Sequence, residues 1–122
     1  MLANQPKNLG GVLNCNGSRK GARFVRLCNT FGLPVITLVD CPGYLPGAKA
    51  ESDGITVHGA KLLHAYCEAD VPLFTIVMRK AYGGAYIVLG SRSIGASAVW
   101  AWPSAEIGVM GARGAVNLLS RR

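Results

Sequence analysis

One stretch of the sequence, residues 75–89, constrains the fold more than any other, because it predicts a strand, a glycine turn and a helix in immediate succession. It opens with an apolar, β-branched run, which predicts a buried strand that ends at the basic pair Arg79–Lys80. Gly83–Gly84 allow a sharp turn without a Cβ penalty, and small and apolar residues then predict a buried helix over 84–91. The first N–H groups of such a helix are unpaired and partially positive. The stretch is therefore typical of a site that binds an anion or stabilises a developing oxyanion.

The remaining segments predict one α/β domain with the element order β-α-β-loop-α-β-α-β-α. The apolar run 34–39 has no polar alternation, which predicts a strand in a sheet covered on both faces. Ser18 is the expected N-cap of the first helix, and the polar segment 48–54 is expected to be mobile. Strands are predicted over 8–14, 34–39, 73–78 and 94–102, and helices over 18–31, 55–70, 84–91 and 112–119, followed by Arg121–Arg122.

The composition describes a tightly packed globular chain and excludes several classes of protein. Half of the 122 residues are apolar, 16 are glycine and few are charged, which excludes a disordered chain. No apolar run of about 18 residues predicts a transmembrane helix, and the first residues lack the apolar region of a secretory signal. The net charge of +7 fits a solvated basic surface, an anionic cofactor such as coenzyme A, or an acidic partner subunit. Nucleic acid is not an expected partner, because aromatic residues are few and do not alternate with the basic ones.

The four cysteines are expected to be reduced and buried in a cytoplasmic protein, because each lies in or beside an apolar run. None forms a Cys-x-x-Cys pair, so no metal site is expected. Their positions are Cys15, Cys28, Cys41 and Cys67.

Several polar residues have a functional and a structural interpretation. Asp40 follows the strand 34–39 and could be a catalytic carboxylate, but we favour hydrogen bonds to backbone N–H groups of the loop that follows. His58 and His64 could serve as a general base, but neither belongs to a recognisable nucleophile motif. Solvent exposure is favoured over phosphate contact for three basic residues of the first predicted helix, Arg19, Arg23 and Arg26.

Motifs for side-chain catalysis are missing from the sequence: it has no Gly-x-Ser-x-Gly elbow, no P-loop and no Gly-x-Gly-x-x-Gly. An enzyme with this sequence would depend mainly on backbone dipoles, which suits reactions that pass through an enolate. Small residues precede a helix start at Gly83-Gly84-Ala85 and at Met110-Gly111-Ala112. The alternative is that these glycines only permit close packing, and spacing alone does not decide between the two interpretations.

Four motifs taken together carry a family resemblance. They are residues 39–47 (Val-Asp-Cys-Pro-Gly-Tyr-Leu-Pro-Gly), 58–63, 79–86 (Arg-Lys-Ala-Tyr-Gly-Gly-Ala-Tyr) and 101–112. In this order and spacing they resemble the carboxyltransferase β subunits of biotin-dependent acyl-CoA carboxylases, of the propionyl-CoA and acetyl-CoA carboxylase type. The resemblance runs across nearly the whole chain.

The resemblance implies an α/β, crotonase-like fold built of ββα units, of which residues 1–122 would form the C-terminal carboxyltransferase subdomain in truncated form. It implies transfer of a carboxyl group from carboxybiotin to the α-carbon of a short-chain acyl-CoA, such as acetyl-CoA or propionyl-CoA. The implied cofactors are biotin, carried on a partner protein, and coenzyme A as part of the substrate. The implied partners are a biotin carboxylase or biotin carboxyl carrier subunit and further copies of the same chain, with no membrane, nucleic acid or metal.

The resemblance also implies roles for individual residues. The backbone N–H groups of Gly84 and Ala85 would hold the ureido oxygen of biotin. Ile87 would contribute to acyl-chain selection, and its apolar side chain, where propionyl-CoA carboxylases often have Asp, favours acetyl-CoA or mixed or longer acyl-CoA. The other expected cofactor-binding residues are Tyr82, Gly83, Gly111 and Ala112.

Two alternatives remain open from the sequence. The α subunit of a biotin-dependent, sodium-pumping acyl-CoA decarboxylase has the same fold and runs the transfer in the opposite direction. A catalytically incomplete fragment, acting only in subunit or biotin-carrier binding, would also fit a chain of this length.

Overall fold

A computed structural model describes residues 1–120 of the chain, and Arg121 and Arg122, predicted to follow the last helix, lie outside the described residues. Short 3₁₀ turns are present at Leu9–Gly11 and Arg92–Ile94. The strands are β1 (Leu2–Ala3), β2 (Val35–Cys41), β3 (Leu73–Tyr82), β4 (Ala98–Ala101) and β5 (Glu106–Gly108). The helices are α1 (Cys15–Thr30), α2 (Ala48–Ser52), α3 (Ile55–Cys67), α4 (Gly83–Val88) and α5 (Ala112–Leu119).

All strand pairs in the described part of the sheet are parallel, and the order along the sheet is β1-β2-β3-β4. β5 also pairs with β3, further along the strand than β4. Parallel neighbours require crossover connections, and the helices between the strands supply them. The predicted α/β class is therefore confirmed.

One face of the sheet is covered by α1 and α3. Alternate residues of β2, among them Val35 and Val39, point to this face and are fully buried. Leu62 of α3 is also fully buried against them. Tyr66 of α3 and Thr37 of β2 share a buried hydrogen bond of 2.7 Å between their hydroxyl oxygens. The hydrophobic core thus lies between this face and the two helices.

The other face of the sheet is open in residues 1–120, so the predicted cover on both faces is wrong for the described chain. Ile36 of β2 is 41% exposed and Trp100 of β4 is 54% exposed. Phe74 of β3 stacks on Trp100 with ring centroids 6.1 Å apart. The prediction failed because the strands carry apolar residues on both faces of the sheet, whereas helices cover only one face.

The segment before α1 differs from the prediction. The strand predicted over 8–14 is absent from the described chain, because Leu9, Gly10 and Gly11 all have positive φ and form a 3₁₀ turn. The N-cap of α1 is Asn14, whose side chain accepts a 2.8 Å hydrogen bond from the backbone N–H of Gly17. Ser18, the predicted cap, is buried inside the helix. Asn and Ser are equally good caps, so sequence alone did not separate them.

Other boundaries differ more modestly. α5 agrees with the predicted 112–119. α3 ends at Cys67 rather than residue 70, and β4 covers four residues rather than 94–102. The segment 48–54 contains α2, and β1 was not predicted.

Two further expectations concern cysteines and membranes. Cys28 and Cys41 are buried as expected, but Cys67 is exposed and Cys15 only half-buried. Burial raises the pKa of the Cys41 thiol. Within residues 1–120, none of the helices combines the length and apolar character needed to cross a bilayer.

Candidate functional site

The end of β3 carries the first glycine turn. The strand continues through Lys80 to Tyr82, so the predicted strand end at Arg79–Lys80 is wrong. Residues 80–82 pair with β5, whereas residues 74–77 pair with β4. The strand thus changes its partner on one side just before the turn.

A bulge lies between these two parts of β3. Val39 of β2 is opposite Val77, but Cys41 is already opposite Ala81, so Asp40 alone faces three residues of β3. A bulge of this kind leaves backbone groups without ladder partners and redirects the strand. The Asp40 carboxylate accepts a 3.3 Å hydrogen bond from the backbone N–H of Lys80. Asp40 therefore bonds to the neighbouring strand, not to its own loop as predicted.

The same carboxylate forms an ion pair with Arg79. The Arg79 Nε lies 3.2 Å from Oδ1 and 3.1 Å from Oδ2 of Asp40. The Asp40 side chain is only 15% exposed, while that of Arg79 is 56% exposed. Asp40 is held in turn by Asn4, whose side chain accepts a 3.3 Å hydrogen bond from the Asp40 backbone N–H.

The glycine turn itself has the geometry that the sequence predicted. Gly83 has a φ of 61°, a left-handed value that favours glycine, and α4 begins at this residue rather than at 84. The N–H groups of Gly84 and Ala85 fall in the first turn of α4, where no earlier helical carbonyl is available. No turn or loop hydrogen bond among residues 1–120 uses either group as a donor.

The two amide groups differ in their access to solvent. Gly84 is exposed, and a Cβ placed there would meet no atom within 4 Å. Ala85 is fully buried. Only the Gly84 end of the turn is therefore directly open to a ligand in this conformation.

An apolar cavity of about 390 Å³ opens beside Gly84. Its walls come from α3, α4 and the loop after β2, and include Ile55, Leu63, Val88 and Tyr44. A backbone N–H at the edge of an apolar cavity stabilises negative charge more strongly than the same group does in water. The arrangement suits a ligand with an apolar body and a polar edge.

Tyr44 and Thr56 bring polar side chains to this cavity. The Tyr44 ring lies over α3, since a Cβ at Gly59 would come within 2.9 Å of the Tyr44 hydroxyl oxygen. Burial raises the pKa of Tyr44 from its ordinary value of 10 to about 12. Tyr44 was not singled out as a site residue from the sequence, because the cavity is assembled from three separate segments.

The second glycine turn lies next to the first. Gly111 is the N-cap of α5, and a Cβ there would lie 3.4 Å from the Tyr82 ring. A Cβ at Gly83 would lie 3.4 Å from the Val109 carbonyl oxygen. The two glycine turns are therefore adjacent in space, as parallel strands that end at one edge require.

Tyr82 connects the two turns. Its ring is buried, and its hydroxyl donates a hydrogen bond to Oε2 of Glu106 on β5. This hydrogen bond is the main reason that the pKa of Tyr82 is raised. The hydroxyl is thus engaged within the protein and not directed at the cavity. Glu106 was not singled out from the sequence.

The other candidate residues lie apart from the cavity. Ile87 is 46% exposed on α4 and does not line the cavity, and neither His58 nor His64 does so. Ala112 is exposed at the start of α5. Arg19 and Arg23 are exposed, as favoured from the sequence, and Arg26 lies 3.7 Å from Glu68.

A parallel α/β sheet with two adjacent glycine turns at one edge is typical of α/β proteins whose site lies at the ends of the strands. The carboxyl transferase domain family matches this chain over residues 1–122, and the chain belongs to that family.

Similar proteins support the same assignment. The chain is 58% identical to the propionyl-CoA carboxylase beta chain of Saccharopolyspora erythraea, over all of this chain and 22% of that protein. It is 54% identical to the methylmalonyl-CoA carboxyltransferase 12S subunit of Propionibacterium freudenreichii, over all of this chain and 23% of that subunit. The chain thus spans less than a quarter of the length of these relatives.

Solved structures of carboxyltransferases share the fold. A transcarboxylase 12S structure, described as a hexamer with methylmalonyl-coenzyme A bound, superposes with a TM-score of 0.93 at 55% identity, over 98% of this chain and 23% of that one. A single-chain long-chain acyl-CoA carboxylase gives a TM-score of 0.91 at 35% identity, over 98% of this chain and 12% of that one. The expected crotonase-like fold, as a partial domain, is confirmed.

Proposed function

We propose that this chain is part of a carboxyltransferase that moves a carboxyl group between biotin and a short-chain acyl-CoA, and that it forms the biotin side of the site. The observation that carries the proposal is the Gly83–Gly84 turn at the mouth of an apolar cavity, in a chain that belongs to the carboxyl transferase family. We propose further that it corresponds to the C-terminal subdomain.

The residues around Gly84 fit a biotin ring. The ring is compact and largely apolar with a polar ureido edge, and the cavity combines the apolar residues Ile55, Leu63 and Val88 with Gly84. When bound, biotin supplies a nitrogen that carries the carboxyl group and a ureido oxygen that gains negative charge as the carboxyl group leaves.

The protein's part in the reaction is electrostatic and steric. The Gly84 N–H would donate to the ureido oxygen from the open end of α4, and the Ala85 N–H would add a second donor once the ligand displaces what covers it. Each such donor is worth about 2.7–4 kcal/mol in other oxyanion holes. The apolar side chains of the cavity would exclude water, which strengthens these interactions.

The choice of acyl group stays a proposal. Ile87 lies outside the cavity on the exposed side of α4, so it would contact the acyl-CoA rather than biotin. An apolar residue there would favour acetyl-CoA or mixed or longer acyl-CoA, with discrimination of about 1–3 kcal/mol per methylene.

The assembly is also a proposal. Assembly with a biotin carboxylase or biotin carrier subunit and with further copies of the chain, in the cytoplasm, would complete the site. The hexamer of the 12S structure supports assembly with further copies of the chain.

The test removes the donor at position 84 and uses an alanine variant to control for the added side-chain volume. We expect the natural gene product that contains this sequence to release CO₂ from malonyl-CoA or methylmalonyl-CoA only when free biotin is added. Gly84→Pro removes the N–H and should lower kcat about 100-fold or more. Gly84→Ala is the matched control, because its Cβ enters open space and the N–H is retained.

The two variants give opposite expectations. Gly84→Ala should keep kcat within a few-fold of the unsubstituted protein. Equal activity of the Pro and Ala variants would contradict the role of the Gly84 N–H. Activity that does not depend on biotin would contradict the proposed function itself.

A further inference from the structure

The bulge in β3 provides a further inference about how the glycine turn is held. Beyond the bulge, residues 80–82 form a short stem between β2 and β5 that leads directly into Gly83. A change in the direction of this stem would move the Gly84 N–H with it. The contacts that fix the stem therefore bear on the site.

A carboxylate lies on each side of this stem. On the β2 side, Asp40 accepts from the Lys80 N–H at 3.3 Å and from the Arg79 Nε at 3.1 and 3.2 Å. On the β5 side, Glu106 accepts from the Tyr82 hydroxyl. Both acceptors are charged, so these hydrogen bonds are stronger than neutral ones.

Asp40 is also the better fixed of the two. Its backbone N–H donates to Asn4, and its carbonyl oxygen would be only 2.5 Å from a Cβ at Gly11. Glu106 is exposed, whereas the Asp40 side chain is 15% exposed. Because the Asp40 backbone is fixed by these contacts, its carboxylate is in a position to fix the adjacent strand β3.

We infer that Asp40 is a positioning residue for the site, and that its pair with Arg79 sets the direction of the β3 stem and so of the Gly84 N–H. The inference rests on the proposed function for its effect on turnover. Asp40 does not line the cavity beside Gly84, so it acts through the strand and not on the substrate.

The experiment compares two variants of the pair with an exposed control pair. Asp40→Asn keeps an oxygen for the Lys80 N–H but removes the charge that holds Arg79. Arg79→Gln removes the other half at a side chain that is 56% exposed, so it should fold even if Asp40→Asn does not. Asp53→Asn breaks the exposed Lys49–Asp53 ion pair, 3.6 Å long, and serves as the control.

Two measurements are made on the natural gene product that contains the sequence. In the biotin-dependent assay, Asp40→Asn and Arg79→Gln should lower kcat about tenfold and leave KM for malonyl-CoA within about twofold, because small displacements of a reacting group affect turnover strongly. Hydrogen exchange of the amides in residues 80–82 should become about tenfold faster. Asp53→Asn should change neither quantity.

The double variant tests whether the two residues act as a pair. Asp40→Asn with Arg79→Gln should lose no more activity than Asp40→Asn alone, because residues that act as a unit are not additive. Losses that multiply would overturn the inference. So would a slower turnover with unchanged exchange at residues 80–82, which would assign Asp40 a chemical role.

Failure of the proposed function can be distinguished from failure of the inference about Asp40. If the unsubstituted protein shows no biotin-dependent turnover, the carboxyl-transfer proposal fails. The exchange rates then decide alone whether Asp40 holds the stem: unchanged rates in both variants would overturn the inference, and faster rates would support it.

Discussion

The two faces of the sheet carry similarly apolar side chains but differ in what covers them. On the helix-covered face, Val35, Leu62 and Tyr66 are buried almost completely. On the open face, Ile36 and Trp100 keep large exposed fractions. Apolar composition alone therefore does not decide burial, and only the covered face should contribute strongly to the free energy of unfolding of this chain.

The largest difference should appear when a large side chain is truncated in the core under the covered face and, for comparison, on the exposed helix α5. Leu62→Ala on the covered face should lower the free energy of unfolding by about 2–5 kcal/mol, because it leaves a cavity in the core. Leu118→Ala on α5, where the side chain is 68% exposed, should change it by less than about 0.5 kcal/mol. Urea denaturation measures both, and equal losses would contradict the division into a core and an open region.

Two glycines with positive φ offer a sharper comparison. A Cβ at Gly90 would lie 2.7 Å from the Thr75 Oγ1 and 3.1 Å from the Tyr66 ring, whereas one at Gly95 would meet nothing within 4 Å. Both alanine variants incur backbone strain, so their difference isolates the clash. Gly90→Ala should be less stable than Gly95→Ala by about 1–3 kcal/mol in the same denaturation assay. A smaller difference in the free energy of unfolding would mean that the core under the covered face accommodates the added methyl group by small shifts.

The smallest expected effect concerns hydrogen bonds on the two faces. Tyr66→Phe removes the buried bond to Thr37 and should lower the free energy of unfolding by about 1 kcal/mol. Trp102→Phe removes an exposed 3.1 Å contact from its indole Nε1 to the Met78 sulfur and should change it by less than about 0.5 kcal/mol. Equal effects would contradict the comparison.

The Tyr66 variant also predicts a pH dependence. Burial raises the pKa of Tyr66 to about 12, above its ordinary value of 10, so the folded protein favours the protonated form. This contribution is fully present below pH 10 and is lost as pH rises from 10 through 12. Denaturation at pH 8 and pH 11 should show a smaller decrease in stability for Tyr66→Phe than for the unsubstituted protein.

The sequence was sufficient where a feature depends on neighbouring residues. The strand–turn–helix of residues 75–89 follows from β-branched residues and from the glycine pair with its left-handed Gly83. The length of β3 did not follow, because its last residues depend on Asp40, about 40 positions away in the chain.

The same distinction between local and long-range features applies to the candidate site. The adjacency of the glycine turns follows from strand ends that meet at one edge of a sheet, and both turns were visible in the sequence. The cavity beside Gly84 was not, because its lining joins three segments whose packing no local pattern encodes. Tyr44 was missed for that reason, and Glu106 was missed because its contact with Tyr82 joins residues 24 positions apart in the chain.

The central place of β3 has a consequence for the order in which the molecule assembles. β2, β4 and β5 all pair with this one strand, and in the described chain only β1 and β2 form a strand pair without it. During synthesis, most of the backbone ladder therefore waits until residue 82 has left the ribosome. The apolar segments made earlier stay without their partner for that interval, which makes emergence of β3 the step at which a chaperone would matter most.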